Sequence, residues 1–221
     1  MSRFVLGVTG ASGSIYATRT AMYLQRFHHE VTLIVTHPGK QVLEYEGQSA
    51  LFDYCKDVCN VDDFFAECAS GSSDIAGMAV VPCSMGTLGR IAAGTSDNLL
   101  VRAADVCLKE RRPLVIVPRE MPYNLIHIEN MKRVTLAGAV VIPASPQFYS
   151  KPQSIEELVD TVVAKILKHL GVEQSLVASV AKVWNGDERE IPAPRNKSGA
   201  SSSGNDKFTT AEMTNLMTND H

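Results

Sequence analysis

Four short segments carry residue types that could do chemistry. Thr9-Gly10-Ala11-Ser12-Gly13-Ser14 combines small residues with hydroxyls, so backbone N–H groups can come close to an anion at a helix start. It is neither a GxGxxG fingerprint nor a Walker loop. Pro82-Cys83-Ser84-Met85-Gly86-Thr87 repeats that chemistry farther along, and two such turns side by side would frame a phosphorylated cofactor. As plain helix starts they need only Ser12 and Ser84 as N-caps, each contributing about 1 kcal/mol. Pro118-Arg119-Glu120-Met121-Pro122 sets a fixed cation beside a titratable acid, ahead of a proline that starts a helix. Arg102 and Lys109, two turns apart on one helix face, could point to an anion. The run Lys109-Glu110-Arg111-Arg112 also reads as a solvated helix end favoured by the dipole.

Other residues read more plainly. Glu46 closes an amphipathic stretch that starts at Gly39, and its position alone makes it a surface carboxylate. Tyr149, in Pro146-Gln147-Phe148-Tyr149, could cover a ring ligand or seal a subunit contact. Cys83 reads as a buried, unreactive thiol, since no histidine lies near it in sequence. His127 reads as a helix-packed histidine near a subunit contact, not a general base. His28, His29, Cys55 and Cys59 read as surface and core features, with no metal site. The five cysteines are odd in number and form no C-x-x-C pair, so free, reduced thiols are expected.

The elements that must position these residues follow from hydrophobic patterning. Strand-like runs at residues 3–8, 31–35, 77–81, 113–117 and 137–142 are continuously apolar and separated by helix-length segments. Strands covered on both faces read this way, so the pattern predicts an α/β fold: a three-layer, doubly wound parallel sheet of five strands. In such sheets the ligand crevice lies outside the carboxyl ends of the strands, where the segments above fall. Residues 155–170 form a closing amphipathic helix, with Ser154 as N-cap and Glu157 as its capping-box partner.

Composition narrows the function classes. With 221 residues, 45% of them hydrophobic and 20% charged, the chain can bury one full core. A net charge of −3 argues against nucleic acid as a partner. No apolar stretch approaches the ~20 residues that span a bilayer, so no membrane association and a cytoplasmic location are expected. After Trp184 the composition turns polar, and Asn196-Lys197-Ser198-Gly199-Ala200-Ser201 opens a linker-like stretch. The expected organisation is one domain over residues 1–184 and a flexible tail over 185–221.

Taken together, these segments resemble the UbiX-type flavin prenyltransferases, older relatives of which were described as phenylacrylic or aromatic acid decarboxylases. The resemblance runs from about Arg3 to about Trp184. Its carriers are Gly7-Val8-Thr9-Gly10-Ala11-Ser12-Gly13-Ser14-Ile15-Tyr16, Pro82-Cys83-Ser84-Met85, Asp97 to Val106, Leu108-Lys109-Glu110-Arg111-Arg112, Val117-Pro118-Arg119-Glu120 and Phe148-Tyr149.

The resemblance implies a Rossmann-like or flavodoxin-like flavoprotein, a homo-oligomer of dodecameric type with active sites shared between subunits, Tyr149 and Lys165 coming from a neighbour. It implies transfer of a dimethylallyl group from dimethylallyl phosphate to N5 and C6 of reduced FMN, giving prenylated FMN for a UbiD-type decarboxylase. Gly10, Ala11, Ser12, Thr36, Ser84, Met85, Gly86, Thr87 and Arg119 would hold FMN. Arg102, Lys109, Glu120, Tyr149 and Lys165 would handle the prenyl phosphate, and Ser12, Glu46, Lys109 and Glu120 would act in catalysis. No metal is required: fixed cations can take the charge of the leaving phosphate. The chain departs from the family at two places. Lys165 stands where an arginine is usual, a point charge in place of a bidentate fork, and Gly86 where a lysine is common. Two other readings share the fold: an FMN-dependent decarboxylase of the homo-oligomeric flavin-containing Cys decarboxylase group, and a non-catalytic FMN-binding subunit.

Overall fold

A parallel sheet buried on both faces needs strands that are apolar throughout, and residues 1–181, which the computed structural model describes, supply them. β1 (Arg3–Val8), β2 (Glu30–Val35), β4 (Ile75–Cys83) and β5 (Leu114–Pro118) form the centre. Short β3 (Asp57–Cys59) and β6 (Val140–Val141) form the edges. The order is β3-β2-β1-β4-β5-β6 and every pairing is parallel. The chain winds outward from β1 to β3, returns to pair β4 with β1, and winds the other way. The connection reverses between β1 and β4, and there the helices leave opposite faces and open a crevice.

Period-two alternation divides the core. Phe4, Leu6 and Val8 point to one face, packed with Leu24 of α1 (Ile15–Arg26) and Ile166 and Leu167 of α6 (Ile155–His169). Val5, Met78, Val80 and Ile116 point to the other, against Leu88 of α3 (Met85–Ala92) and Leu100 of α4 (Leu99–Lys109). α2 (His37–Tyr45) follows β2, α5 (Leu125–Leu136) follows β5, and α7 (Gln174–Val177) follows α6. A buried ion pair ties the two helices of the first face. Arg19 Nε donates to Asp160 at 2.8 Å, and the Tyr23 hydroxyl donates to the same carboxylate at 2.7 Å.

Several expectations change. The sheet has six strands, not five, because β3 carries no apolar run to announce it: Asp57 and Val58 are exposed on an edge. The last predicted strand contracts to the half-buried Val140–Val141. Pro122 does not start α5. Asn124 caps it, and His127 completes a capping box by accepting the Asn124 N–H on Nδ1 at 3.3 Å. His127 therefore serves its own helix start. Ser154 caps α6 as expected, but Glu157 accepts the N–H of Gln153, one residue before the cap. The five cysteines are free, with Cys68, Cys83 and Cys107 buried. No helix among the described residues is long and apolar enough to cross a membrane. The predicted tail over 185–221 lies outside the described residues.

Candidate active site

The crevice is built by tying the ends of β1, β2, β4 and β5 together. The buried Thr9 hydroxyl donates to the Pro82 carbonyl at 2.8 Å and accepts the Ser84 N–H at 2.8 Å, so the turns after β1 and β4 form one unit. Thr36 N–H donates to the Val8 carbonyl at 3.0 Å, and its hydroxyl caps α2 by accepting the Gly39 N–H at 3.1 Å. Arg119 N–H donates to the Cys83 carbonyl, and Arg119 Nε reaches across to the Ser12 carbonyl at 3.2 Å. Gly10 has to be glycine: a Cβ there would lie 2.7 Å from Cβ of Pro38 at the start of α2. Thr9 joins the turns on its own, although nothing in the sequence marks it out from other strand-end threonines.

Glu46 is the main revision. It follows α2, and its carboxylate crosses to the start of α1, accepting the Gly13 N–H at 3.0 and 3.1 Å and the Ser14 N–H at 2.7 Å. Ser12 is not the N-cap of α1. Ser14 holds that position without a side-chain capping bond, and Glu46 takes the helix N–H groups instead. Gly13 permits this because its φ of 101° turns the N–H groups outward to one point. Partial burial by itself raises the Glu46 pKa. Hydrogen bonds from the Ser12 hydroxyl and from Gly13 and Ser14 outweigh it, and the net shift is downward. The expected surface carboxylate is thus a half-buried anion locked to the β1–α1 turn.

This plug decides where a further anion can bind. The start of α1 is already neutralised by Glu46, whereas α3 is capped only by Ser84, which accepts the Thr87 N–H at 3.4 Å. Among the described residues, the N–H groups of Gly10, Ala11, Met85 and Gly86 donate to no protein acceptor, and they border the same crevice. With Thr36, Ser84, Thr87 and Arg119 they form a set of donors of the kind a phosphorylated ligand takes. Cys83 beneath them is wholly buried, and burial pushes its thiol up to about 12, which removes it as a nucleophile.

The predicted phosphate cluster is divided. Glu120 sits at the mouth beside Arg119, exposed, accepting the Met121 N–H at 3.0 Å. Arg102 Nε donates to the Ala69 carbonyl at 3.2 Å and Nη1 pairs with Asp105 at 2.8 Å. Lys109 ends α4 just before β5 begins, pairing with Glu110 above Gly71 at the opposite, amino edge of the sheet. Lys165 is exposed in the C-terminal half of α6, a helix whose following Leu170 packs by Gly77 near the start of β4. Tyr149 is 75% exposed beyond β6. One chain therefore assembles Gly10–Ser14, Thr36, Glu46, Ser84–Thr87, Arg119 and Glu120, and leaves Arg102, Lys109 and Lys165 away from them.

Comparison with known proteins decides the family. Residues 1–167 match the family described as Flavoprotein. The flavin prenyltransferase UbiX of Pseudomonas aeruginosa is 43% identical over 192 residues, covering 79% of this chain and 92% of that protein. The chain belongs to the UbiX flavin prenyltransferase family. The solved structure of AnUbiX (PadA1) in complex with FMN and dimethylallyl pyrophosphate has a TM-score of 0.79 at 39% identity, covering 84% of this chain and 98% of that one. A dodecameric FMN-dependent UbiX-like decarboxylase from Escherichia coli has a TM-score of 0.78 at 37% identity, covering 83% and 100%. The Rossmann-like fold of the UbiX flavoproteins thus extends over nearly all of the described residues.

Proposed function

We propose that this protein is a flavin prenyltransferase that joins a dimethylallyl group, supplied as its phosphate ester, to N5 and C6 of reduced FMN. The observation that carries this reading is Glu46, an anionic carboxylate fixed at the β1–α1 turn beside a crevice lined with free N–H donors. Relatives named as flavin prenyltransferases at about 40% identity support it.

The residues fit FMN. The open N–H groups of Gly10, Ala11, Met85 and Gly86, the hydroxyls of Thr36, Ser84 and Thr87 and the Arg119 guanidinium supply the donors for its phosphate and polar chain. Ser12 and Glu46 stand farther along the same β1–α1 turn, where they would face the isoalloxazine. Bound FMN, once reduced, supplies the nucleophilic positions and an aromatic face for a developing allyl cation. The protein does the rest. Arg119 lies across Ser12 and fixes that turn, and the Ser12 hydroxyl lies beside the Glu46 carboxylate. Glu46 is ionised at neutral pH and is the base that receives the proton lost as the new bonds form. At the donor end, Glu120 faces the leaving phosphate, and cations balance its charge.

Those cations come from a neighbouring protomer in this reading. Arg102, Lys109 and Lys165 lie away from the crevice of their own chain. The rim after β5 and β6 carries Met121, Leu125, Ile126, Phe148, Tyr149 and Ile155, each at least 68% exposed. Such a patch is what a subunit contact covers. A dodecameric assembly then completes each site with Tyr149, Lys165, Arg102 and Lys109 from adjacent copies, in the cytoplasm, and hands prenylated FMN to a UbiD-type decarboxylase.

The test is anaerobic incubation of the purified protein with reduced FMN and dimethylallyl phosphate, reading the flavin by mass spectrometry. A flavin heavier by one C5 unit is expected, and greatly less of it from Glu46→Gln. Unmodified flavin with both the monophosphate and the diphosphate would overturn the reading. A monomeric mass in light scattering would overturn the shared site.

A further inference from the structure

Arg90 occupies the last turn of α3, where a cation suits the helix dipole, yet its side chain runs back toward the helix start. Helical side chains lean toward the N-terminus, and residues four apart share a face. The residue four positions back is Gly86, and Nη1 of Arg90 lies 3.5 Å from the point a Cβ on Gly86 would occupy. Nε of the same guanidinium donates to Asp97 at 3.0 Å, in the segment between α3 and α4. The head group is therefore anchored from one side and laid over the bare backbone of the first turn on the other. Any longer side chain at position 86 would compete with it for that place.

The charge stands where the helix itself disfavours it. The first turn of α3 carries the partial positive charge of its unpaired N–H groups, and a guanidinium beside it adds to that potential. Asp97 offsets the cation from a half-exposed position, and surface pairs of that kind hold little. A cation drawn to a positive helix end is stabilised by an anion shared between the two. Glu46 already fills the start of α1, so of these two helix starts it is that of α3 that is left open to an anion.

Resting on the FMN reading above, we propose that Arg90 is the residue that recognises the cofactor's 5′-phosphate. Its guanidinium over Gly86 and the open N–H groups of α3 bind the phosphate together, and they select FMN over riboflavin. In this chain a cation from one turn later thus serves a helix start that has no side chain of its own at position 86.

The experiment reads binding, not turnover: flavin-fluorescence titration of the full chain with FMN and with riboflavin. In Arg90→Gln the FMN dissociation constant is expected to rise about three- to tenfold, the scale of one charge-assisted contact, with riboflavin unchanged within about twofold. In the double variant Gly86→Lys/Arg90→Gln the preference for FMN should return, because an ammonium enters the vacated place. An equal loss for both flavins, or none for FMN, overturns the proposal and leaves the FMN reading standing. Failure of the unaltered protein to bind FMN overturns both.

Discussion

Replacing Glu46 by glutamine separates what this carboxylate does for the fold from what it does for the reaction. It accepts the N–H groups of two successive residues, Gly13 and Ser14, at 2.7–3.1 Å at the start of α1. Hydrogen bonds to a charged acceptor contribute roughly 1.5–3 kcal/mol, against roughly 0.5–1.5 for neutral ones, and the helix dipole adds about 0.3–1. Glutamine keeps one acceptor oxygen and loses the charge, so the expected cost is about 1–2 kcal/mol. In a domain of this size that lowers Tm by about 2–8 °C. The pH dependence has a definite sign. The folded-state pKa lies below the ordinary 4.5, so the stabilisation is complete above that pH and is lost as pH falls through the folded value. Thermal unfolding of wild type and variant from pH 7 down to pH 4 and below should show a full deficit at neutral pH and a shrinking one in acid. A variant as stable as wild type at pH 7, or a deficit independent of pH, would refute the plugged-helix account. Prenylation should fall far more than stability does, since the variant remains folded at 25 °C.

Three further outcomes follow from named contacts. Thr9→Val strands the Ser84 N–H, a cost of about 1–3 kcal/mol, and should weaken flavin binding along with Tm because it unties two turns of the crevice; unchanged flavin affinity in titration would count against that coupling. Asp160→Ala leaves Arg19 and the Tyr23 hydroxyl without their shared acceptor, at a cost of about 3 kcal/mol in denaturant unfolding, the low end for a broken buried pair because Arg19 is 21% exposed. A loss under about 1 kcal/mol would mean water replaces the carboxylate. Burial pushes the thiols of Cys68 and Cys83 up to about 12 and Cys107 up to about 11, so a disulfide reagent at pH 8 should leave these three unmodified in the native protein and label all five cysteines in denaturant. Rapid native labelling of Cys83 would refute its burial.

How much was legible in the sequence depended on whether the signal was local. The continuous apolar runs of β1, β2, β4 and β5 could be read because both faces of a parallel sheet are covered, and polar residues are excluded along the whole strand. Edge strand β3 could not, since half of it faces water and Asp57 fits there as well as an apolar residue. Caps at Ser84 and Ser154 follow from a side chain reaching its own helix start, a contact three residues long. The cap of α1 did not follow, because Glu46 arrives from another element. His127 reads from its neighbours as a packing residue, whereas in the fold its ring accepts the Asn124 N–H and completes the cap of α5.

The crevice shows the same division. Sequence alone placed Gly10–Ser14, Ser84–Thr87 and Arg119–Glu120 just after the strands that became β1, β4 and β5, and a parallel doubly wound sheet brings strand ends to one edge whatever the details of packing. Which of them touch was decided by tertiary structure. Thr9 bridges two turns, Arg119 lies across Ser12, and Glu46 neutralises one helix start and leaves the other open. Tertiary structure also set Lys109 and Lys165 apart from that edge, since a helix that begins at the carboxyl ends of a sheet must finish at its amino ends. Spacing along the chain fixes which residues share a helix face, but hydrogen bonds between distant segments fix which charge meets which, and only the folded chain makes those.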